Sequence, residues 1–103
     1  MLTREVAIQL VKDFVKACEE QHIFFTKVIL FGSTARDTAT QDSDIDVLLV
    51  SDQFGMNQWK NAGLIARINK KFSLIEAHTY PTTYFLKGDP FINEAKSTGI
   101  EIA

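Results

Sequence analysis

The sequence predicts an α/β domain, more closely α+β: a small mixed β-sheet with helices packed on it. Three observations predict it. Apolar residues recur at helical spacing over the first twenty positions, three later runs are short and rich in β-branched or aromatic residues, and further helical patterns lie between and after those runs. At 103 residues the chain is expected to form one domain, residues 1–103, large enough for a core but not for a second one.

The first element is an amphipathic helix of about five turns. Val6, Ala7, Leu10, Val11, Phe14, Val15 and Cys18 form its apolar stripe, and Thr3 is placed to cap it. Residues 24–31 read as a buried strand that Gly32 ends. Residues 33–37 suit a short helix capped by Ser33, and residues 38–43 a loop. Residues 44–50 form the second strand, and a loop follows over 51–56. Asn57 suits the cap of a helix running to about Phe72, with Trp59, Ala62, Ile65, Ala66, Ile68 and Phe72 expected to face the core. Residues 73–80 read as a third strand, and Pro81 opens a short helix over 81–86. A last helix spans 90–97 with Gly99 near its C-cap, and 99–103 is expected to pair as a final short strand.

The composition excludes several roles. Apolar residues make up 46% and charged residues 23%, a globular balance, and the net charge of −2 offers no basic footprint for a nucleic-acid polymer. No apolar run reaches the roughly 18–20 residues of a membrane span. The opening Met1-Leu2-Thr3-Arg4-Glu5 lacks the apolar region of a signal peptide, and a lone cysteine, Cys18, allows no internal disulfide. Together these favour a cytoplasmic setting.

The chemistry is concentrated between Phe31 and Val50. Gly32-Ser33 follows an apolar run, and after ten residues Asp44-Ile45-Asp46 opens another. On a strand Asp44 and Asp46 would share one face, roughly 6–7 Å apart, with Ile45, Val47 and Leu49 on the other. Two such carboxylates repel unless a cation lies between them, and Mg²⁺ favours one or two carboxylates plus substrate phosphates. A Gly-Ser turn adds backbone N–H groups suited to phosphate. An isolated Asp-x-Asp is otherwise a solvated strand end, and it is the preceding Gly-Ser together with the core-facing Ile-x-Val-x-Leu that argues for a site. An EF-hand would need Gly and Glu where Val47 and Gln53 stand. Neither a P-loop nor a Gly-x-Gly-x-x-Gly fingerprint is present, and one cysteine with two distant histidines is a poor zinc set.

Gly32-Ser33, ten residues, then Asp44-Ile45-Asp46 resembles the signature of the nucleotidyltransferase (DNA polymerase β-like) superfamily. The length and the Ser43-Asp44-Ile45-Asp46-Val47 form are most similar to its minimal nucleotidyltransferase (MNT) branch. The resemblance implies a nucleotidyltransferase fold and a third metal carboxylate on the later strand, where Glu76 stands in place of the more usual Asp. It implies two-metal transfer of a nucleoside monophosphate, AMP from ATP, with Asp44, Asp46 and Glu76 as metal ligands for two Mg²⁺ ions. Gly32 and Ser33 would bind the nucleotide phosphates, and Arg36 would neutralise charge there. Asp37 is a second departure, because many members carry Gly at that position, and it would add negative charge near the phosphates. His78 shares the Glu76 face and reads as a surface histidine with nucleotide contact as the other role. Lys60, Arg67 and Lys71 form a stripe that reads as a solvated face. The branch pairs with helical HEPN proteins, so the resemblance implies an antitoxin that adenylylates a tyrosine of a HEPN-type toxin. The alternative is a binding module with little or no catalysis that neutralises its partner by contact, which the Glu76 and Asp37 departures keep open.

Overall fold

Two apolar faces on one sheet organise the chain. The computed structural model describes residues 2–39 and 43–103, so part of the loop expected over 38–43, residues 40–42, lies outside the described residues. Its elements are α1 (Arg4–Glu20), β1 (Lys27–Phe31), β2 (Ile45–Ser51), α2 (Gln58–Asn69), β3 (Ile75–Pro81), α3 (Thr82–Lys87), α4 (Pro90–Thr98) and β4 (Ile100–Glu101). The sheet order is β3-β2-β1-β4. β1 runs antiparallel to both β2 and β4, while β2 and β3 are parallel, so the sheet is mixed as expected.

Strand alternation sorts the core into two layers. Val28, Leu30, Ile45, Val47, Leu49 and Ile75 pack with Ala7, Val11, Phe14 and Cys18 of α1 and with Ile65 and Ile68 of α2. Ile29, Leu48 and Val50 pack on the other side with Phe85 of α3 and with Ile92 and Ala95 of α4. β2 is therefore buried on both faces, which is why its sequence is a continuous apolar run after Asp46.

The caps follow the sequence. The Thr3 hydroxyl accepts the Val6 N–H, and the Asn57 side chain accepts from Trp59 and Lys60. Asp89 caps α4 through the Ile92 N–H and also accepts the Tyr84 hydroxyl, tying α3 to α4. The Ile92 N–H, then the Tyr84 hydroxyl, hold the Asp89 carboxyl below its ordinary range. β4 pairs with β1 as expected, and Lys27 and Glu101 form an exposed ion pair across that edge.

Three expectations need correction. Residues 33–37 are a turn and not a helix. Arg36 N–H reaches Gly32 O, Asp37 N–H reaches Thr34 O and Thr38 N–H reaches Ser33 O, so the spacing drifts from bond to bond. Asp37, at φ 59°, takes the left-handed conformation that ends such a segment. β1 begins at Lys27 and not at residue 24, because Phe24 is bonded through the side chains of Gln53 and Ser51. On α2, Trp59 is 90% exposed and Ala62 and Ala66 are also exposed. The inward stripe is Asn61, Ile65 and Ile68. Asn61 is polar and was not expected there. Its side-chain amide donates to Gly55 O at 2.7 Å and to Thr79 Oγ1 at 3.1 Å, and its carbonyl accepts the Gly55 N–H at 2.9 Å. These bonds satisfy the buried amide, so Ile65 and Ile68 face the core as expected and Asn61 stands beside them in place of Ala62 and Ala66.

Two outcomes are expected from this packing. A Cβ on Gly99 would stand 2.5 Å from Ala95 O, 2.6 Å from Ile29 Cγ2 and 2.7 Å from Leu30 O. Two of these are backbone oxygens that cannot swing aside, so Gly99→Ala should cost about 1–3 kcal/mol, a fall in Tm of roughly 4–8 °C for each kcal/mol. A thermal melt reads it. Burial, with the Glu19 charge adding, pushes the Cys18 thiol up to about 12. The thiolate is the reactive form, so native protein at pH 9 should not react with a thiol-specific dye and should do so once denaturant unfolds it.

Candidate metal and nucleotide site

The site is built by strand register. β1 ends where β2 begins, and their antiparallel pairing sets Phe31 opposite Asp46. The parallel pairing of β2 with β3 sets Asp46 opposite Glu76 and Leu48 opposite His78. Asp46, Glu76 and His78 therefore rise from the same face, at the sheet end where β2 and β3 start. One ligand atom from each of the three lies within 4.8 Å of the others. Asp46 and His78 are half-buried and Glu76 is exposed, so the group opens to solvent on the β3 side.

Gly32 forms the floor on the β1 side. Its φ is +76°, and a Cβ built on it would meet Asp46 Oδ2 at 2.5 Å. Both facts require glycine: the left-handed conformation disfavours a side chain, and the Asp46 carboxylate fills the space one would need. Ser33 follows at half-burial, and its carbonyl accepts the N–H and hydroxyl of Thr38. Arg36 is exposed on the same turn. Asp44 is exposed one residue ahead of β2, where strand alternation no longer governs its side chain, and it is not in the three-residue group. The structure thus brings together Asp46, Glu76 and the Gly32 backbone, with Ser33 and Arg36 on the turn that follows Gly32 and Asp44 one residue ahead of β2.

Asp37 does something the sequence did not suggest. Its carboxylate accepts the Arg4 N–H at 3.1 Å, while Arg4 Nε donates to Ala35 O at 2.9 Å. The side chain that departs from the common Gly thus ties the Gly-Ser turn to the first turn of α1, where carboxylates are favoured by the helix dipole. The left-handed φ of Asp37 explains why Gly would also suit the position.

The residue that sequence reasoning missed is His78. Its Nε2 is buried, has no hydrogen-bond partner among the described residues, and sits 3.5 Å from Asp46 Oδ1. An unpaired buried nitrogen costs about 1–3 kcal/mol. The ring is held by Phe31 at 5.1 Å and Phe91 at 5.6 Å between centroids, with Phe31 and Phe91 themselves 5.4 Å apart. The spacing Glu76-x-His78 already put both on one face, but only the β2–β3 register reveals that this face carries Asp46.

The donor chemistry fits a divalent cation. Two carboxylates converge, a buried nitrogen points into the same space without a partner, and the missing Gly32 side chain lets the backbone approach. Gly32→Ala should therefore act twice. Forcing alanine into the left-handed conformation costs about 1–2 kcal/mol, and the new methyl would displace the Asp46 carboxylate. Calorimetry with Mn²⁺ should show binding weakened well beyond what the drop in Tm accounts for. Unchanged metal affinity would show that Asp46 can move aside freely.

Comparison with known proteins places the fold. A family model described as a nucleotidyltransferase domain matches residues 11–98. A relative from Methanocaldococcus jannaschii, named as a candidate protein adenylyltransferase, is 46% identical over 43 residues. That stretch is 41% of this chain and 43% of the relative, so the chain matches less than half of that protein's length. The crystal structure of a candidate nucleotidyltransferase from Sulfolobus solfataricus superposes with a TM-score of 0.68, covering 95% of this chain and 80% of that one at 19% identity. The mixed sheet and its helices are thus the fold of that neighbour, and the matched stretch contains every element from β1 to α4. The chain belongs to the nucleotidyltransferase domain family, as a member similar to its minimal branch.

Proposed function

We propose that this protein transfers a nucleoside monophosphate, AMP from ATP, to a hydroxyl of a partner protein. The observation that carries the reading is the convergence of Asp46 and Glu76 beside the Gly32 backbone, within a chain of this family. The name of the Methanocaldococcus relative supports ATP as donor and a protein as acceptor. The similarity to the minimal branch supports a helical HEPN-type toxin as that acceptor, modified on tyrosine, with this chain as the antitoxin.

Asp46 and Glu76, with Asp44 at the strand entrance, would hold the divalent cations. Bound there, such cations neutralise phosphate charge and polarise an acceptor hydroxyl. The Gly32-Ser33 turn would receive the β- and γ-phosphates, since only glycine lets the backbone pass so close to Asp46. Arg36, exposed on that turn, would pair with phosphate oxygens from solvent. In the reaction the acceptor oxygen would bond to the α-phosphorus, the bond from that phosphorus to the α–β bridging oxygen would break, the hydroxyl proton would pass to solvent water, and pyrophosphate would leave with the bridging oxygen. Glu76 is the most exposed of the converged ligands, so the acceptor would approach from the β3 edge.

The test combines chemistry and stability. Asp44→Asn with Asp46→Asn removes two like charges, so the double variant should melt at the same or a higher temperature in metal-free buffer. Incubated with labelled ATP, a divalent cation and the product of the neighbouring gene, wild type should label that neighbour on tyrosine and the double variant should not. A neighbour that is bound and silenced equally by both, and never labelled, would establish neutralisation by contact and overturn the transfer reading.

A further inference from the structure

We infer that the cation between Asp46 and Glu76 is also held by Nε2 of His78, and that this position takes a first-row transition cation such as Mn²⁺ in preference to Mg²⁺. The inference deepens the nucleotidyl-transfer reading and rests on it. Four observations carry it. Nε2 is buried and unpartnered, yet 3.5 Å from a carboxylate oxygen, too poorly placed to be a hydrogen bond. The ligand atoms of Asp46, Glu76 and His78 all lie within 4.8 Å of one another, and Nε2 is 3.5 Å from Asp46 Oδ1; neighbouring ligands of a cation with bonds of about 2.1 Å stand roughly 3 Å apart, so only a side-chain adjustment would be needed to seat one cation among the three. The parallel register fixes this proximity, with His78 two residues beyond Glu76 on the same face and beside Leu48. The imidazole is also held in place, because Phe31 and Phe91 pack against it and Phe31 lies opposite Asp46 on β1.

The preference follows from ligand chemistry. Mg²⁺ takes an octahedron of oxygens and keeps its waters, whereas a first-row transition cation also accepts an imidazole nitrogen, with affinity rising from Mn²⁺ to Co²⁺ and beyond. Two carboxylates and one imidazole form a mixed set that Mn²⁺ and Co²⁺ accept readily and Mg²⁺ does not. A pure carboxylate set would not discriminate in this way. His78 thus acts as a specificity-determining ligand, and its walls of Phe31 and Phe91 are the reason it holds one direction.

Electron spin-echo spectroscopy of the whole protein with Mn²⁺ and a non-hydrolysable ATP analogue tests this directly. Wild type should show modulation from a directly coordinated imidazole nitrogen, and His22→Gln should retain it. His78→Phe keeps a ring against Phe31 and Phe91 but removes the nitrogen. It should lose the modulation and bind Mn²⁺ about tenfold or more weakly, while Mg²⁺ affinity, read by competition, changes less than about twofold. Should His78→Phe fail to fold by circular dichroism, His78→Gln and the wild-type spectrum decide the question. Wild type that binds Mn²⁺ without nitrogen modulation, or a variant that keeps it, overturns the role of His78 and leaves the carboxylate site standing. Binding of neither cation in the presence of the analogue overturns the metal site itself.

Discussion

Everything at the candidate site depends on one close approach, that of the Gly32 backbone to the Asp46 carboxylate. The last residue of β1 pairs with Asp46, so the chain must leave the sheet directly over that side chain. A residue with a Cβ would strike Oδ2 at 2.5 Å. Glycine answers both the steric demand and the left-handed turn, and the same turn then carries Ser33 and Arg36 around the carboxylate. The short Gly-Ser motif and the later Asp-x-Asp are thus one structural unit, since β1 and β2 bring them together although they lie apart in sequence.

The second constraint is the parallel pairing of β2 with β3. A parallel pair needs a crossover, and α2 provides it. The crossover places Glu76 opposite Asp46 and leaves β3 at the sheet edge, where Glu76 is solvent-exposed while Asp46 is half-buried. Slipping the register by one residue would send Glu76 and His78 to the α1–α2 face and dismantle the cluster. Ile75 and Thr79, buried on the opposite face, oppose that slip: their burial keeps Glu76 and His78 on the site side. Core packing on one face therefore enforces chemistry on the other.

Much of this was legible in the sequence, and the parts that were not share a cause. Thr3 and Asn57 announce their helices because capping is local chemistry. Gly32 and Asp46 could be singled out because spacing and alternation are local too, whereas Glu76 came from the family resemblance and its place opposite Asp46 from the strand register. Asn61 misled because a buried amide satisfied by Gly55 and Thr79 cannot be told from an exposed one without its partners. Trp59 misled for the complementary reason: apolar character draws it to the core stripe, but the buried stripe is Asn61, Ile65 and Ile68, and Trp59 stands in solvent. The contacts of His78 to Asp46 and of Asp37 to Arg4 could not be read, because they span long separations that no periodicity encodes.

The two faces of the sheet end differently, and that difference is what creates a site at all. On the α1–α2 face the apolar layer includes Ile45 and Ile75, at the very start of β2 and β3. On the α3–α4 face it reaches only to Leu48 and Ile29, and the next positions along are Asp46 and Phe31. α3 is a single short helix and α4 spans nine residues, so they cover the middle of the sheet and leave this end open. Phe31, His78 and Phe91 occupy the boundary, with Phe91 39% exposed. They seal the core beneath and border the carboxylates above, so charge is concentrated beside a low-dielectric wall. A carboxylate pair in that setting gains more from a bound cation than the same pair would in open water. The boundary rings are thus structural on one side and electrostatic on the other, and the fold needs no separate element to build the site.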